Sequence, residues 1–375
     1  MALNLEEKDT KKLTDKYNEL DIKTIQEIIT MIEEIGDLSQ YTQQQINTIK
    51  ERDRKKIFQD TLEEVGFLTA FMNNETKNIF EYYAHYMVRS NLKLYKYRGL
   101  KVALNPIQID MLNSGLKETQ NLLRNFTGTI AFKSENTYVE AVDKAYLEVL
   151  SGKKSYNKAI YETYRELAKK GIKLTDSLGR NIQLETAVER NLRMGLQNTA
   201  NRISDNLFNE LGCNGYEVSA HTGARPTHEI AQGKQYALTR EDAEKYNVGY
   251  WYDTVDGEPI AELWNDYNCR HDYFPIILGV SESNYTQKEL QDMNNQMVKY
   301  KGKEMSLYEA TQKQHYYESN IRNTKRAIES LSKSKDNNAK EAKDSLEKSL
   351  KNYQLKYRDF NKQTGLSPDY TKTRI

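Results

Sequence analysis

Apolar residues recur at three- and four-residue steps through most of the first 170 positions. Ile22, Ile25, Ile29 and Ile32 form one stripe, and Ile57, Leu62, Val65 and Leu68 a second. Tyr138, Val142, Ala145 and Val149 form a third, which Leu167 and its neighbours continue. That spacing gathers side chains on one face of a helix, so this region is predicted to be a set of long amphipathic helices. Asn105–Pro106 marks a helix start, because proline suits a first turn and disfavours helix before it. The period then shortens. Ile172 and Leu174 alternate with polar residues before an Asp176–Ser177–Leu178–Gly179 turn, and Ile182 and Leu184 do so after it, which predicts a β-hairpin. A helix is expected from about Glu185 to Leu211, stopped at Gly212.

The segment 212–279 differs in kind. It holds both cysteines (Cys213, Cys269), both tryptophans (Trp251, Trp264), three of the five histidines and three of the five prolines, so it reads as compact and loop-rich. Beyond it, 286–361 contains no proline and a single glycine, Gly302. Tyr317, Ile321, Ile328 and Leu331 make one stripe there. Ala339, Ala342, Leu346, Leu350, Tyr353, Tyr357 and Phe360 make another, across a polar turn at Ser332–Asn338. This predicts a helical hairpin or short coiled coil. The fold class is therefore read as mostly α with a small α+β module. A helical arm or bundle covers 1–170, a core module with a few antiparallel strands covers 171–280, and a helical hairpin with a polar tail covers 281–375.

The chain is 375 residues long, enough for two or three domains with real cores. Its 55 basic and 54 acidic residues nearly cancel, which excludes a globally basic nucleic-acid coat and an acidic tail protein. Two cysteines cannot build a disulfide framework. The opening Met1–Lys8 lacks the basic-then-apolar pattern of a secretory leader, and no apolar run is long enough to span a membrane. Charge is uneven locally: 321–361 carries 11 basic and 6 acidic residues. That excess is either a solvated helix face or a contact surface for nucleic acid or an acidic partner.

Candidate chemistry concentrates in His221-Thr-Gly223-Ala-Arg225-Pro226-Thr-His228, followed by Gln232-Gly233, and in Asn268-Cys269-Arg270-His271 some 40 residues on. Tyr216, Val218 and Ala220 alternate with polar residues, so a strand is expected to deliver His221 to a turn at 222–226. Thr227 is expected to cap a short helix carrying His228 towards Gly233. Gly233 is expected where the backbone approaches closely. Three readings remain open. His221, His228, Cys269 and His271, with Cys213 near, are the right types for a structural zinc ion, although Cys-x-His is tighter than the usual ligand spacing. Alternatively, the histidines fix loop carbonyls while Arg225 and Arg270 pair with acids such as Glu229 or Asp272. In a catalytic reading, His221 is a general base and an arginine stabilises a developing anion, or His271 activates Cys269. No nucleophile elbow, P-loop or dinucleotide fingerprint is present.

The pairing of His-Thr-Gly-Ala-Arg-Pro-Thr-His…Gln-Gly-Lys with Asn-Cys-Arg-His and a following Pro275 and Gly279 resembles the phage minor capsid protein 2 family. More distantly, it resembles the core of the head-morphogenesis proteins of tailed phages. The likeness covers roughly 170–280. Where the family has a Gly-rich turn before the Asn-Cys-Arg-His block, this chain has Trp264-Asn265-Asp266-Tyr267. The resemblance implies a non-enzymatic minor component of a phage or prophage head, present in few copies, acting near the portal in head morphogenesis and packaging-competent assembly. It implies the portal, the major capsid protein or other virion proteins as partners, self-association or multiple copies, and a location in the virion, with the bacterial cytoplasm during assembly. Two other function classes stand beside it: an ejected hydrolase or nuclease using His221, His228 and His271, and a DNA-binding accessory protein using the basic C-terminal helices.

Overall fold

A computed structural model describes residues 7–175, 179–264 and 269–375. The helical expectation for the first 170 positions holds. Helix α1 spans Glu7–Ile35, α2 Gln43–Ser90 and the short α3 Leu92–Tyr97; α4 spans Pro106–Gly128, α5 Ile130–Leu150 and α6 Tyr156–Lys170. With 48 residues, α2 is about 70 Å long at the usual helical rise. Two starts are built as capping boxes, Thr42 with Gln45 and Asn105 with Gln108, the second with Pro106 in the first turn. The predicted stripes are the buried faces, with Ile22 and Val149 half-buried at their ends; Leu62 alone of the stripes is exposed, and Thr61 takes the inward position between Ile57 and Val65.

The hairpin forms from β1 (Lys173–Thr175) and β2 (Asn181–Gln183), paired antiparallel; the 176–178 part of its expected turn lies outside the described residues. Helix α7, Leu184–Glu210, follows and ends one residue short of the expected Leu211, with Gly212 left-handed at φ +56°. The module after it is built on a four-stranded sheet in the order β5-β4-β3-β8, from β3 (Gly215–Val218), β4 (Gln235–Ala237), β5 (Gly249–Tyr250) and β8 (Tyr273–Ile276). The β3–β4 and β3–β8 pairs are antiparallel, as expected, but β4 and β5 run parallel because α9 (Arg240–Tyr246) connects them as a crossover. A small ribbon of β6 (Thr254–Val255) and β7 (Glu258–Pro259) leads into α10 (Ile260–Leu263). The sheet lies on the C-terminal half of α7, where Phe208 stacks on Tyr216 at 4.8 Å. Tyr216, Trp251, Trp264, Cys269 and Tyr273 fill the module's own core.

The C-terminal stretch is more varied than a helical hairpin alone. Helix α11 (Gln287–Asn294) precedes an antiparallel ribbon of β9 (Met297–Tyr300) and β10 (Lys303–Ser306), turning at Lys301–Gly302. Both turn residues have positive φ, +51° and +77°, which matches the twist that a two-residue hairpin needs. The predicted helix pair follows as α12 (Leu307–Ser330) and α13 (Asn337–Thr364).

This pair does not project from the rest. Ala327, Leu331, Ala339, Ala342 and Leu346 belong to the same apolar core as α1, α2, α5, α6 and α7. Arg326 of α12 is buried against Asp21 of α1. Asp21 also accepts the Ile172 backbone N–H at 2.6 Å, and Arg326 donates to the Lys169 carbonyl at 3.1 Å. Gly171, at φ +60°, sits over this junction, where a Cβ would collide with the Arg326 guanidinium.

Candidate functional site

The sheet and α8 (Pro226–Glu229) bring the two sequence blocks together. Val218 exchanges hydrogen bonds with Gly233 and Lys234, so the chain leaves β3, loops through 219–232 and returns beside its own start. Pro226, in the first turn of α8, and the Arg225 carbonyl start the helix. Thr227 does not cap it, contrary to expectation, because it falls inside the first turn instead of before it. Gly223 turns at φ +69°. Gly233, also at φ +69°, makes the close approach predicted for it: a Cβ there would lie 2.3 Å from Leu290 Cδ2 and 3.1 Å from the Ala220 Cβ. On the other side, Ser219 donates its N–H to the Asp272 carbonyl and accepts the Asp272 N–H on its Oγ. That pairing places Cys269 and His271 opposite His228.

Three of the predicted residues converge. His228, Cys269 and His271 are 2%, 3% and 1% exposed. The Nδ1 atoms of the two histidines are 3.3 Å apart, and Cys269 Sγ lies 3.6 Å from Nδ1 of His228 and 3.5 Å from Nδ1 of His271. The His271 backbone N–H donates to the same sulfur at 3.3 Å. His221 is half-buried beside them. Its ring stacks on that of His271 with centroids 4.3 Å apart, and its Nδ1 faces the Thr222 carbonyl, so it flanks the trio. Cys213 packs into the helical core instead. Asn268 lies outside the described residues, as do 265–267; Arg270 is exposed and Arg225 half-buried.

The environment holds Cys269 and His271 uncharged when no cation is present. Burial pushes the Cys269 thiol up to about 11. Burial, then the neighbouring His221, His228 and Arg225, push His271 far below the ordinary imidazole value. Trp264 closes the group, its ring centroid 5.6 Å from that of His228 and 5.2 Å from that of His271.

Two glutamines organise the site: Gln232, which lies in the Gln-Gly step of the motif, and Gln197, which no motif marks. Gln197 of α7 donates from Nε2 to the carbonyls of both Trp264 and His271 at 2.7 Å, and so ties Trp264 to His271. Gln232 accepts the His221 backbone N–H on Oε1 at 3.0 Å and faces His271 Nε2 with the same oxygen at 2.9 Å. Its own Nε2 donates to Asn294 of α11. Part of a signal for Gln197 is in the sequence: Arg193, Gln197, Asn201 and Ser204 recur at helical spacing on α7, and such a polar stripe, once buried, needs hydrogen-bond partners, although the spacing does not say which.

The family model for phage minor capsid protein 2 matches residues 4–362. No curated protein and no solved structure matches the chain.

Proposed function

The chain belongs to the phage minor capsid protein 2 family, and on that premise we propose that it is a minor structural component of a tailed-phage head. It acts near the portal during head morphogenesis and leaves the head competent for packaging. The observation that carries this reading is the extent of the match, which takes in the N-terminal helices, the central module and the C-terminal pair alike. Its partners are the portal, the major capsid protein or other virion proteins, and several copies assemble in each particle. Among the described residues no helix is long and apolar enough to cross a membrane, in keeping with a particle-bound role.

A hydrolase or nuclease reading has less support. His228, Cys269 and His271 are sealed from solvent, and a thiol held protonated by burial is a poor nucleophile. The DNA-binding reading loses part of its charge to the fold. Of the basic residues in 321–361, Arg322 pairs with Glu185, Lys325 donates to the Thr373 carbonyl and Arg326 is buried on Asp21.

Removing the gene from the inducible prophage or phage that encodes it, with complementation in trans, tests the proposal. DNA-filled heads should disappear from thin sections of the lysing cells and return with the complementing copy. Normal numbers of infectious particles from the deletion strain overturn it.

A further inference from the structure

The converging trio has the dimensions of a metal site. Zinc holds imidazole nitrogen at about 2.0–2.1 Å and thiolate sulfur at about 2.3 Å, so a tetrahedral ion sets its ligands about 3.3 Å apart for two nitrogens and about 3.5 Å for nitrogen and sulfur. The three edges here are 3.3, 3.5 and 3.6 Å. They outline one face of that tetrahedron. We propose that the chain binds a zinc ion through Nδ1 of His228, Sγ of Cys269 and Nδ1 of His271, three ligands of a tetrahedral centre that ties Cys269 and His271 to α8.

The hydrogen bonds around His271 fix which of its nitrogens carries the proton. A backbone N–H cannot accept, so the Gln232 atom facing the His221 N–H is the amide oxygen. The same oxygen faces His271 Nε2, so Nε2 carries the proton and donates. Nδ1 of the neutral His271 is then a bare lone pair aimed at the other two donors. This is the usual arrangement of a ligating histidine, whose second nitrogen is held by an acceptor. The His271 N–H on Cys269 Sγ favours thiolate character.

A proton-only network satisfies the triangle less well. His271 Nδ1 brings no proton, the thiol brings one and His228 Nδ1 brings at most one. Two protons cannot serve three edges, whereas one cation serves all three lone pairs. His221 is outside the ligand set: its imidazole lies flat against His271 and points Nδ1 at a carbonyl.

The test uses the full-length chain, purified through a tag that contains no histidine and without added metal. Elemental analysis should find stoichiometric zinc. After the zinc is stripped, titration with cobalt(II) should produce the visible bands of a tetrahedral ion and a near-ultraviolet thiolate-to-cobalt transition, both displaced by zinc. Cys269→Ser should lose the thiolate transition, while Cys213→Ser and His221→Ala should keep it. Wild-type protein with neither zinc nor a cobalt spectrum overturns the proposal without any variant needing to fold. An unchanged spectrum in Cys269→Ser overturns it as well.

Discussion

Gln197 bonds two carbonyls from a single amide, and its removal takes a 2.7 Å donor from each of the buried Trp264 and His271 carbonyls. Gln197→Leu keeps the volume and loses both bonds. It should cost about 2–4 kcal/mol, read from the denaturant midpoint, since each buried acceptor deprived of a donor costs roughly 1–3 kcal/mol. A change below a few tenths of a kcal/mol contradicts this role. Glu27, on α1, gives a pH signature. Burial, then the hydrogen bond and charge of Asp60, push its carboxyl up to about 7, against the partial offset of Lys56 and Lys23. A carboxyl whose folded value is raised keeps its proton in the native state while the unfolded chain has already released it. Stability is therefore lost as pH rises from the ordinary glutamate range towards 7. Glu27→Gln should match wild type near pH 4 and melt higher than wild type at pH 8; equal melting at pH 8 contradicts the assignment. At this scale the histidines, Cys269 and Gly233 were legible in the sequence because their residue types are rare and chemically distinct. The role of Gln197 was not, because its partners are backbone atoms that sequence spacing does not locate.

Between elements, the crossing of α4 and α7 depends on two glycines. A Cβ on Gly115 would lie 2.0 Å from Thr199 Oγ1, and one on Gly195 would lie 2.0 Å from Thr119 Oγ1, so the two helices interlock reciprocally through Gly-x-x-x-Thr segments. Gly115→Val should lower the melting temperature by several degrees, because the helices are forced apart along their whole contact. Gly115→Ala combined with Thr199→Ala should recover part of the loss that Gly115→Ala alone causes, and a simple sum of the two single effects contradicts the interlock. The long helices, the 171–184 hairpin and the stripe of α13 were all readable from periodicity. The β9–β10 ribbon is not legible from the pattern, although Gly302 between Tyr300 and Met305 is its trace: each strand has four residues, and Val298, Tyr300 and Met305 are too few inward positions to establish an alternation. The parallel β4–β5 pair was hidden for a different reason, since a two-residue strand carries almost no pattern of its own.

For the whole molecule, periodicity predicts that α12 and α13 form a pair, but not where the pair rests. Placement comes from Arg326 on Asp21 and from small residues, Ala327, Ala339 and Ala342, that let α12 and α13 approach α1 and α6. Truncation before Thr286 therefore removes part of the main core, with Ala327, Leu331, Ala339, Ala342 and Leu346 among the losses, and strips Asp21 of its arginine. The truncated chain should melt broadly and be digested rapidly by protease, measured beside the full chain by circular dichroism and limited proteolysis. A sharp transition at the full-length temperature contradicts this placement.

Membership in a capsid family makes presence in the particle the central claim, and the most direct measurement is quantitative mass spectrometry of gradient-purified particles, normalised to the portal subunit. The account predicts a low, constant copy number in proheads and in DNA-filled heads. Absence from both, with the protein left soluble in the lysate, would contradict it.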